Sequence, residues 1–496
     1  MGTASGNAIK RQGADFKYYL IIAICVALMF FGGYIPPFAP EITRVGMQII
    51  GIFVGMVVLW STVGGVIWPS LLAVVALGVS DYTNMAGAVA SALGTNIIWQ
   101  VLMCVTLTYA ITQSGAGEYL ARWLISRKFL QGRPYLFSMM YMIGFMFIAA
   151  LTSGIGMMLL SWAILRGIAS ILNADMKEGY FVQMSIYLMT ACCLGEFMIP
   201  FKSWVAALWN SFGNVVGMSL NYIPYLLVTM IFGLVIIAIM TALLKVTRVD
   251  MSRLLNFDNS QLRNTDGSAP DRLNERQLSY LVVMLICMGG ALLSSILPKD
   301  TAIYALFNRF TAGGLFTLGV AYLSIKKAKD GKPLMDFKQV MSAGTVWGPL
   351  LLIAAAIPIA NALCSEATGF MAWVTNVLNP IFESSPTIVI YIVIILACVI
   401  LTNLGSNTGI AMMMLPIAVP LALSAGANMY AVGICVIYSA CFGLVLPGAS
   451  AMAAMVYGVG DHLSVKDIIK YTSIICVVYI ILAIPVFTLL NEFMIL

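Results

Sequence analysis

The chain has 496 residues, of which 61% are hydrophobic and 9% charged, and its mean hydropathy is +0.97. That balance excludes a soluble globular protein, because many apolar runs exceed the roughly 20 residues a membrane helix needs. The net charge of +6 comes from 26 Lys and Arg against 20 Asp and Glu. The basic residues lie between apolar runs and form no patch interleaved with aromatics. The lipid bilayer is therefore the expected partner, and nucleic acid is not.

Residues 1–40 hold a polar start with Lys10, Arg11 and Lys17, then an apolar run from Tyr18 to Pro36 without a small-residue cleavage site. This reads as a retained first span. Gly46 to Ser80 is too long for one crossing and is interrupted at Ser61, Thr62, Gly64 and Gly65, which predicts a tight helical hairpin. A span from about Asn96 to Thr112 follows. Glu118, Arg122, Arg127, Lys128 and Arg133 then place an amphipathic stretch at the cytoplasmic interface. Two apolar arms, near Pro134 to Ala150 and Met157 to Ile171, join through LTSGIG at Leu151 to Gly156. Arg133 and Arg166 mark their outer ends, so both ends share one side and the pair reads as a re-entrant hairpin. Tyr180 to Phe212 carries Gly195, Glu196, Pro200, Lys202 and Ser203 and reads as a broken helix. The first repeat thus covers 41–247, and a polar, charged linker covers 248–277.

The second repeat, 278–496, follows the same plan, with a hairpin tip near 407 and a broken helix near 447. TSGIGMMLL at Thr152 to Leu160 is similar to NTGIAMMML at Asn407 to Leu415, pairing Thr152 with Asn407 and Ser153 with Thr408. CLGEFMIPFKSW from Cys193 is similar to CFGLVLPGASA from Cys441, pairing Pro200 with Pro447 and Lys202 with Ala449. SGAG at Ser114 to Gly117 is similar to EATG at Glu366 to Gly369. These matches in one order predict a duplicated architecture.

With a cytoplasmic N-terminus and about eleven spans plus two re-entrant hairpins, every Lys and Arg falls on the cytoplasmic side except Arg44, Lys299, Arg309 and the embedded Lys202. The C-terminus is then outside, and the two repeats are opposite in orientation. Inverted repeats with sites on discontinuous helices are a transporter arrangement, here expected in the plasma membrane.

The stretch Leu401 to Leu421 sets Thr402, Asn403, Gly405, Ser406, Asn407, Thr408 and Gly409 between two apolar arms. Such groups cannot face hydrocarbon without partners, so they line a wet site. Oxygen-rich side chains and freed carbonyls suit sodium, and a helix N-terminus suits an anion. Sodium ligands are expected at Ser406, Asn407, Gly448 and Ala449. The small anionic substrate is expected at Thr152, Ser153, Lys202, Ser203, Asn407, Thr408 and Ser450.

Lys202 needs a partner at depth: a substrate carboxylate, water or Glu196. Arg166 reads as snorkelling at the end of its arm, His462 as a surface residue of the DHLSVKD loop, and Met412 to Met414 as packing. The ten cysteines fall in apolar segments without CxxC spacing, so no disulfide framework or zinc site is indicated, and no cofactor is expected beyond a coupling Na+. GxSxG, HExxH and P-loop sequences are absent, which argues against an enzyme.

The SNT triplet at Ser406 to Thr408, followed by LPGASAMAAMVYGVG at Leu446 to Gly460, resembles the divalent anion/sodium symporter family, whose superfamily includes citrate, dicarboxylate and sulfate carriers. The likeness extends in span order from WSTVGGVIWPSLLAVVALG at Trp60 onward. It implies paired SNT tips, two sodium sites with an anion between them, homodimers and elevator movement. Two departures stand out. Leu151, Thr152 and Ser153 replace the first SNT, and Phe201 to Trp204 carries a lysine where the family favours small residues and prolines. The expected function is secondary active transport of a di- or tricarboxylate, with single-site sodium coupling or anion exchange. The rivals are a cation/proton antiporter of the same superfamily, which would want a midplane Asp pair, and a membrane enzyme or receptor.

Overall fold

The computed structural model describes residues 4–62, 66–217, 221–255, 257, 272–298, 300–344, 347–382, 385–405 and 407–493. It is all-helical, and among the described residues the pairing of Lys327 with Pro333 is the only isolated β-bridge. In chain order, α1 (Ala4–Phe31), α2 (Arg44–Thr62), α3 (Ile67–Gly78), α4 (Met85–Leu93), α5 (Asn96–Gln113) and α6 (Ala116–Ile125) lead to α7 (Pro134–Leu151) and α8 (Gly154–Ile171). Then come α9 (Gly179–Met198), α10 (Ser203–Val216), α11 (Tyr222–Val246) and the single turn α12 (Ser252–Leu255). The second half runs α13 (Glu275–Ile296), α14 (Ala302–Ile325), α15 (Phe337–Gly344), α16 (Trp347–Leu363), α17 (Phe370–Phe382), α18 (Thr387–Leu404), α19 (Asn407–Ser424), α20 (Met429–Ala440), α21 (Ala451–Val459) and α22 (Val465–Phe493).

Among the described residues, eight helices are long and apolar enough to cross a membrane, or nine if the bent pair α4 and α5 is one span. They include the arms α7, α8 and α18, so whole spans such as α1, α9, α11, α13 and α22 supply the rest. α2, α3, α16, α19 and α20 are shorter apolar helices. Gly64 and Gly65 of the first expected interruption lie outside the described residues.

Local chemistry explains where the helices start and stop. Pro134 opens α7 at a position where a missing N–H costs nothing. Asn274 and Gln277 form a capping box at the head of α13. Gly115 precedes α6 with φ 75° and Gly369 precedes α17 with φ 68°, a left-handed conformation that favours glycine. On α6, Arg122 pairs with Glu118 at 2.9 Å, and Arg127 lies 3.6 Å from the Trp123 ring centroid just beyond it.

One apolar core joins α7, α8, α9 and α11 with α18, α19, α20 and α22, and a second gathers parts of α5, α13 and α14 around Met198, Ile199 and Phe201. Close backbone approach fixes the first. A Cβ at Gly195 of α9 would collide with the Met146 carbonyl of α7. Aromatic rings fill the seam between the halves: Phe232 of α11 stacks on Phe487 of α22 at 5.6 Å and meets Tyr438 of α20 edge-on at 5.6 Å.

Candidate functional site

The two hairpin tips and the two helix breaks form one cluster. The first tip, Thr152 and Ser153, leaves helical geometry between α7 and α8, and the Ser153 hydroxyl caps α8 by accepting from the Gly156 N–H at 3.4 Å. Thr152 is fully buried and donates its hydroxyl to the Ile148 carbonyl at 2.6 Å. The first break, between α9 and α10, holds Pro200 and Lys202. Lys202 is 4% exposed, and its ammonium donates to the Ala149 carbonyl at 2.8 Å, the Ala150 carbonyl at 3.0 Å and the Thr152 carbonyl. An ammonium has three donors, so all are taken by the C-terminal end of α7. That end has carbonyls with no intrahelical partner and carries the negative pole of the helix, where a cation belongs.

The second tip is built differently. The Thr402 hydroxyl lies 2.9 Å from Asn407 Oδ1 and 2.7 Å from the Ala440 carbonyl, so one proton serves both. Asn403 clasps the break after α20: its amide nitrogen donates to the Val399 carbonyl at 2.8 Å and the Phe442 carbonyl at 2.9 Å. Its oxygen accepts from the N–H groups of Leu444 at 3.0 Å and Val445 at 2.8 Å. The Asn407 N–H donates to the Ala449 carbonyl at 3.2 Å, and the Ser450 hydroxyl caps α21 by accepting from Ala453 at 3.1 Å. Gly443 fits beneath, where a Cβ would collide with Asn407 Oδ1 and stand 2.9 Å from the Thr402 hydroxyl. Ala449 is fully buried and Thr408 is buried, whereas Gly448 is exposed. Ser406 lies outside the described residues, as does the side chain of Ser203.

The tips meet through α21. The second tip touches its start at Ala449, and the first touches its first turn, since a Cβ at Gly154 would stand 2.9 Å from Met452 Cε. Lys202, which leads into α10, holds the first tip through the Thr152 carbonyl. The N-termini of α8, α10, α19 and α21 are thereby gathered at one place. Cys193 and Cys441, matched in the repeat, also face each other across the halves, with Cys193 Sγ 3.9 Å from the Cys441 carbonyl.

Several residues sit where sequence alone did not put them. Glu196 makes no hydrogen bond or close ion pair with any described residue, and its carboxylate lies against Gly154. His462 was expected at the surface, yet it is 7% exposed, packed edge-on to Trp162 at 5.2 Å and 2.9 Å from the Ser185 hydroxyl. The loop that carries it folds back onto α8 and α9. Arg166 pairs with Asp461 at 2.9 Å, which ties the outer end of α8 to that loop. Asn403 was expected to line the wet site, but its side chain is taken up by the backbone of the second break. Its four partners are all backbone groups, which no residue pattern displays.

A helical membrane protein whose paired hairpins and broken helices present helix ends to one buried cluster has the architecture of a membrane transporter. The sequence pattern of the sodium:sulfate symporter transmembrane region matches residues 14–495, so the chain belongs to that family. It is 31% identical over 140 residues to the Na(+)/citrate cotransporter of Rattus norvegicus, a match covering 28% of this chain and 23% of the cotransporter. The chain thus aligns with less than a quarter of that relative's length. In fold it is similar to the YdaH transporter of Alcanivorax borkumensis, with TM-score 0.57, 10% identity and coverage of 91% of this chain and 99% of that one. It is likewise similar to MtrF of Neisseria gonorrhoeae, described as illuminating a class of antimetabolite efflux pumps, with TM-score 0.59, 12% identity and coverage of 95% and 98%.

Proposed function

We propose that this chain is a secondary active transporter of a small organic anion, a di- or tricarboxylate, working by alternating access. The observation that carries the reading is the convergence of four helix N-termini, those of α8, α10, α19 and α21, around the two tips. Each brings the positive pole of a helix, so together they form an anion site without needing a free cationic side chain. In this reading Thr152, Ser153, Ser203, Asn407, Thr408 and Ser450 are the residues assigned to the anion. The partial match to a citrate carrier favours a carboxylate over the sulfate named in the family's description.

Lys202 decides the coupling in this proposal. Its ammonium fills the place at the α7 terminus where a sodium ion would otherwise collect three carbonyls. A second cation there would be repelled by several kcal/mol at an intermediate effective dielectric. The repeat puts Ala449 at the matching position, which brings no charge. Sodium then has one site, near Ser406, Asn407, Gly448 and Ala449, and coupling is single-site, or the carrier exchanges one anion for another. Lys202 acts on the substrate through its fixed charge and its hold on the first tip. A cation/proton antiporter is disfavoured, because neither tip nor break carries an Asp.

The remaining parts of the proposal are inverted repeats over 41–247 and 278–496, elevator movement, a homodimer, and a plasma-membrane orientation with the N-terminus cytoplasmic and the C-terminus outside. A thermal-shift screen of purified protein tests the core of it. Citrate, succinate or a related carboxylate should raise the unfolding temperature, since a ligand that binds only the native state stabilises it. No stabilisation by any carboxylate or by sulfate would contradict the anion site.

A further inference from the structure

We infer that Glu196 is a proton-binding site coupled to the anion, so that the carrier takes up a proton with its substrate. The inference rests on the proposed anion site, and it begins from a carboxylate that the packing leaves unanswered. Glu196 lies near the end of α9, just before the break, and is partly exposed. Its carboxylate touches the first tip at Gly154, where α8 begins, and Met452 of α21 borders the same spot. It makes no hydrogen bond or close ion pair with any described residue.

The nearest cation does not neutralise it directly. Lys202 acts on Glu196 through space, but all three of its donors go to the α7 carbonyls. The other titratable groups in range are thiols: Cys192 and Cys193 on α9, and Cys441 at the second break. α8 and α21 present Gly154 and Met452, which carry no charge. An intramembrane carboxylate without a partner among the described residues is a group whose proton occupancy answers to its surroundings.

The anion supplies the change in those surroundings. Bound at the N-termini of α8 and α21, it would place negative charge beside Glu196, and like charges at one site favour protonation of the weaker acid. A proton from water then joins a carboxylate oxygen, and the pair is bound as anion plus proton. Linkage makes this reciprocal: the anion raises proton affinity, and the proton raises anion affinity by the same factor. Lys202 provides the fixed positive charge and Glu196 the exchangeable one.

Isothermal titration of the purified full-length protein with succinate and with sulfate, in buffers of different ionisation enthalpy, counts protons taken up per anion. We expect proton uptake with the anion in wild type, up to about one per anion, and affinity that rises on acidification by at most about tenfold per pH unit. Glu196→Gln should bind either anion without proton uptake and with flat pH dependence, and Glu196→Asp should keep the uptake. Anion binding to wild type without proton uptake would overturn the inference, and that result needs no variant to fold. Uptake unchanged in a folded Glu196→Gln would overturn it equally. If neither these anions nor citrate or any other carboxylate binds wild type at any pH, the anion-site reading fails and takes this inference with it.

Discussion

The ammonium of Lys202 donates to the Ala149 carbonyl at 2.8 Å and so closes the C-terminal end of α7 with a charge the chain supplies itself. Lys202→Ala would leave the Ala149, Ala150 and Thr152 carbonyls without this donor. A buried acceptor left unsatisfied costs about 1–3 kcal/mol. We expect the variant to unfold at a lower temperature in choline chloride and to recover part of the loss in sodium chloride, as an added cation replaces the tethered one. Anion affinity should also fall. Equal unfolding temperatures in the two salts would argue that the vacated carbonyls do not form a cation site.

Asn403 ties α18 to the break after α20 through four backbone partners. Asn403→Ala leaves the Leu444 and Val445 N–H groups without their acceptor and the Phe442 carbonyl without this donor, so a loss of about 2 kcal/mol or more in stability is expected. Asn403→Asp keeps the acceptor and loses both donors, and should fall between the two. Denaturant or thermal unfolding of the three proteins gives the order. An Asn403→Ala variant as stable as wild type would remove the clasp from the account.

Glycine substitutions separate contact from conformation. Gly195→Ala would drive a methyl into the Met146 carbonyl, and Gly443→Ala would drive one into Asn407 Oδ1. The first should cut the yield of folded protein, because two packed helices must separate. The second should keep the fold better and lose transport, because it displaces a tip residue. Gly448→Ala meets nothing within 4 Å, and its carbonyl is retained, so transport and sodium response should stay near wild type. Expression, unfolding temperature and flux distinguish the three.

Asn407→Ala should abolish or strongly weaken transport while leaving most of the folding stability. It removes the Thr402 contact and an expected ligand, whereas the N–H bond to Ala449 persists. Wild-type flux in this variant would remove Asn407 from the site.

The buried His462 gives stability a pH dependence. Desolvation holds its pKa below the ordinary value, opposed by Asp461 and assisted by Arg166. The native state then binds the proton more weakly than the unfolded chain. Its contribution is complete above the unfolded value of about 6.5 and declines as pH falls from there toward the native value. His462→Gln should flatten that decline, which thermal unfolding from about pH 7.5 to 5 would record. An unchanged slope would place the acid sensitivity elsewhere.

Much of the architecture was legible because lipid makes polar interruptions conspicuous. LTSGIG and LTNLGSNTG between apolar arms located both tips, and Pro200 and Pro447 located both breaks. What stayed hidden was pairing with the backbone. The sequence offered Glu196, water or substrate as partners for Lys202, and could not display three carbonyls of α7. For the same reason Asn403 read as a wet-site residue and not as a clasp on the backbone. His462 looked like a loop residue because its neighbours in sequence are charged, while its neighbours in space are Trp162 and Ser185.

Sodium dependence of anion uptake into proteoliposomes asks whether Lys202 occupies one of two cation positions. With the carboxylate identified by thermal shift as the labelled anion, a sodium Hill coefficient of about one or less is expected, including uptake that needs only a counter-anion inside. Steep dependence with a Hill coefficient of about two would mean that both positions bind sodium and that the lysine replaces neither.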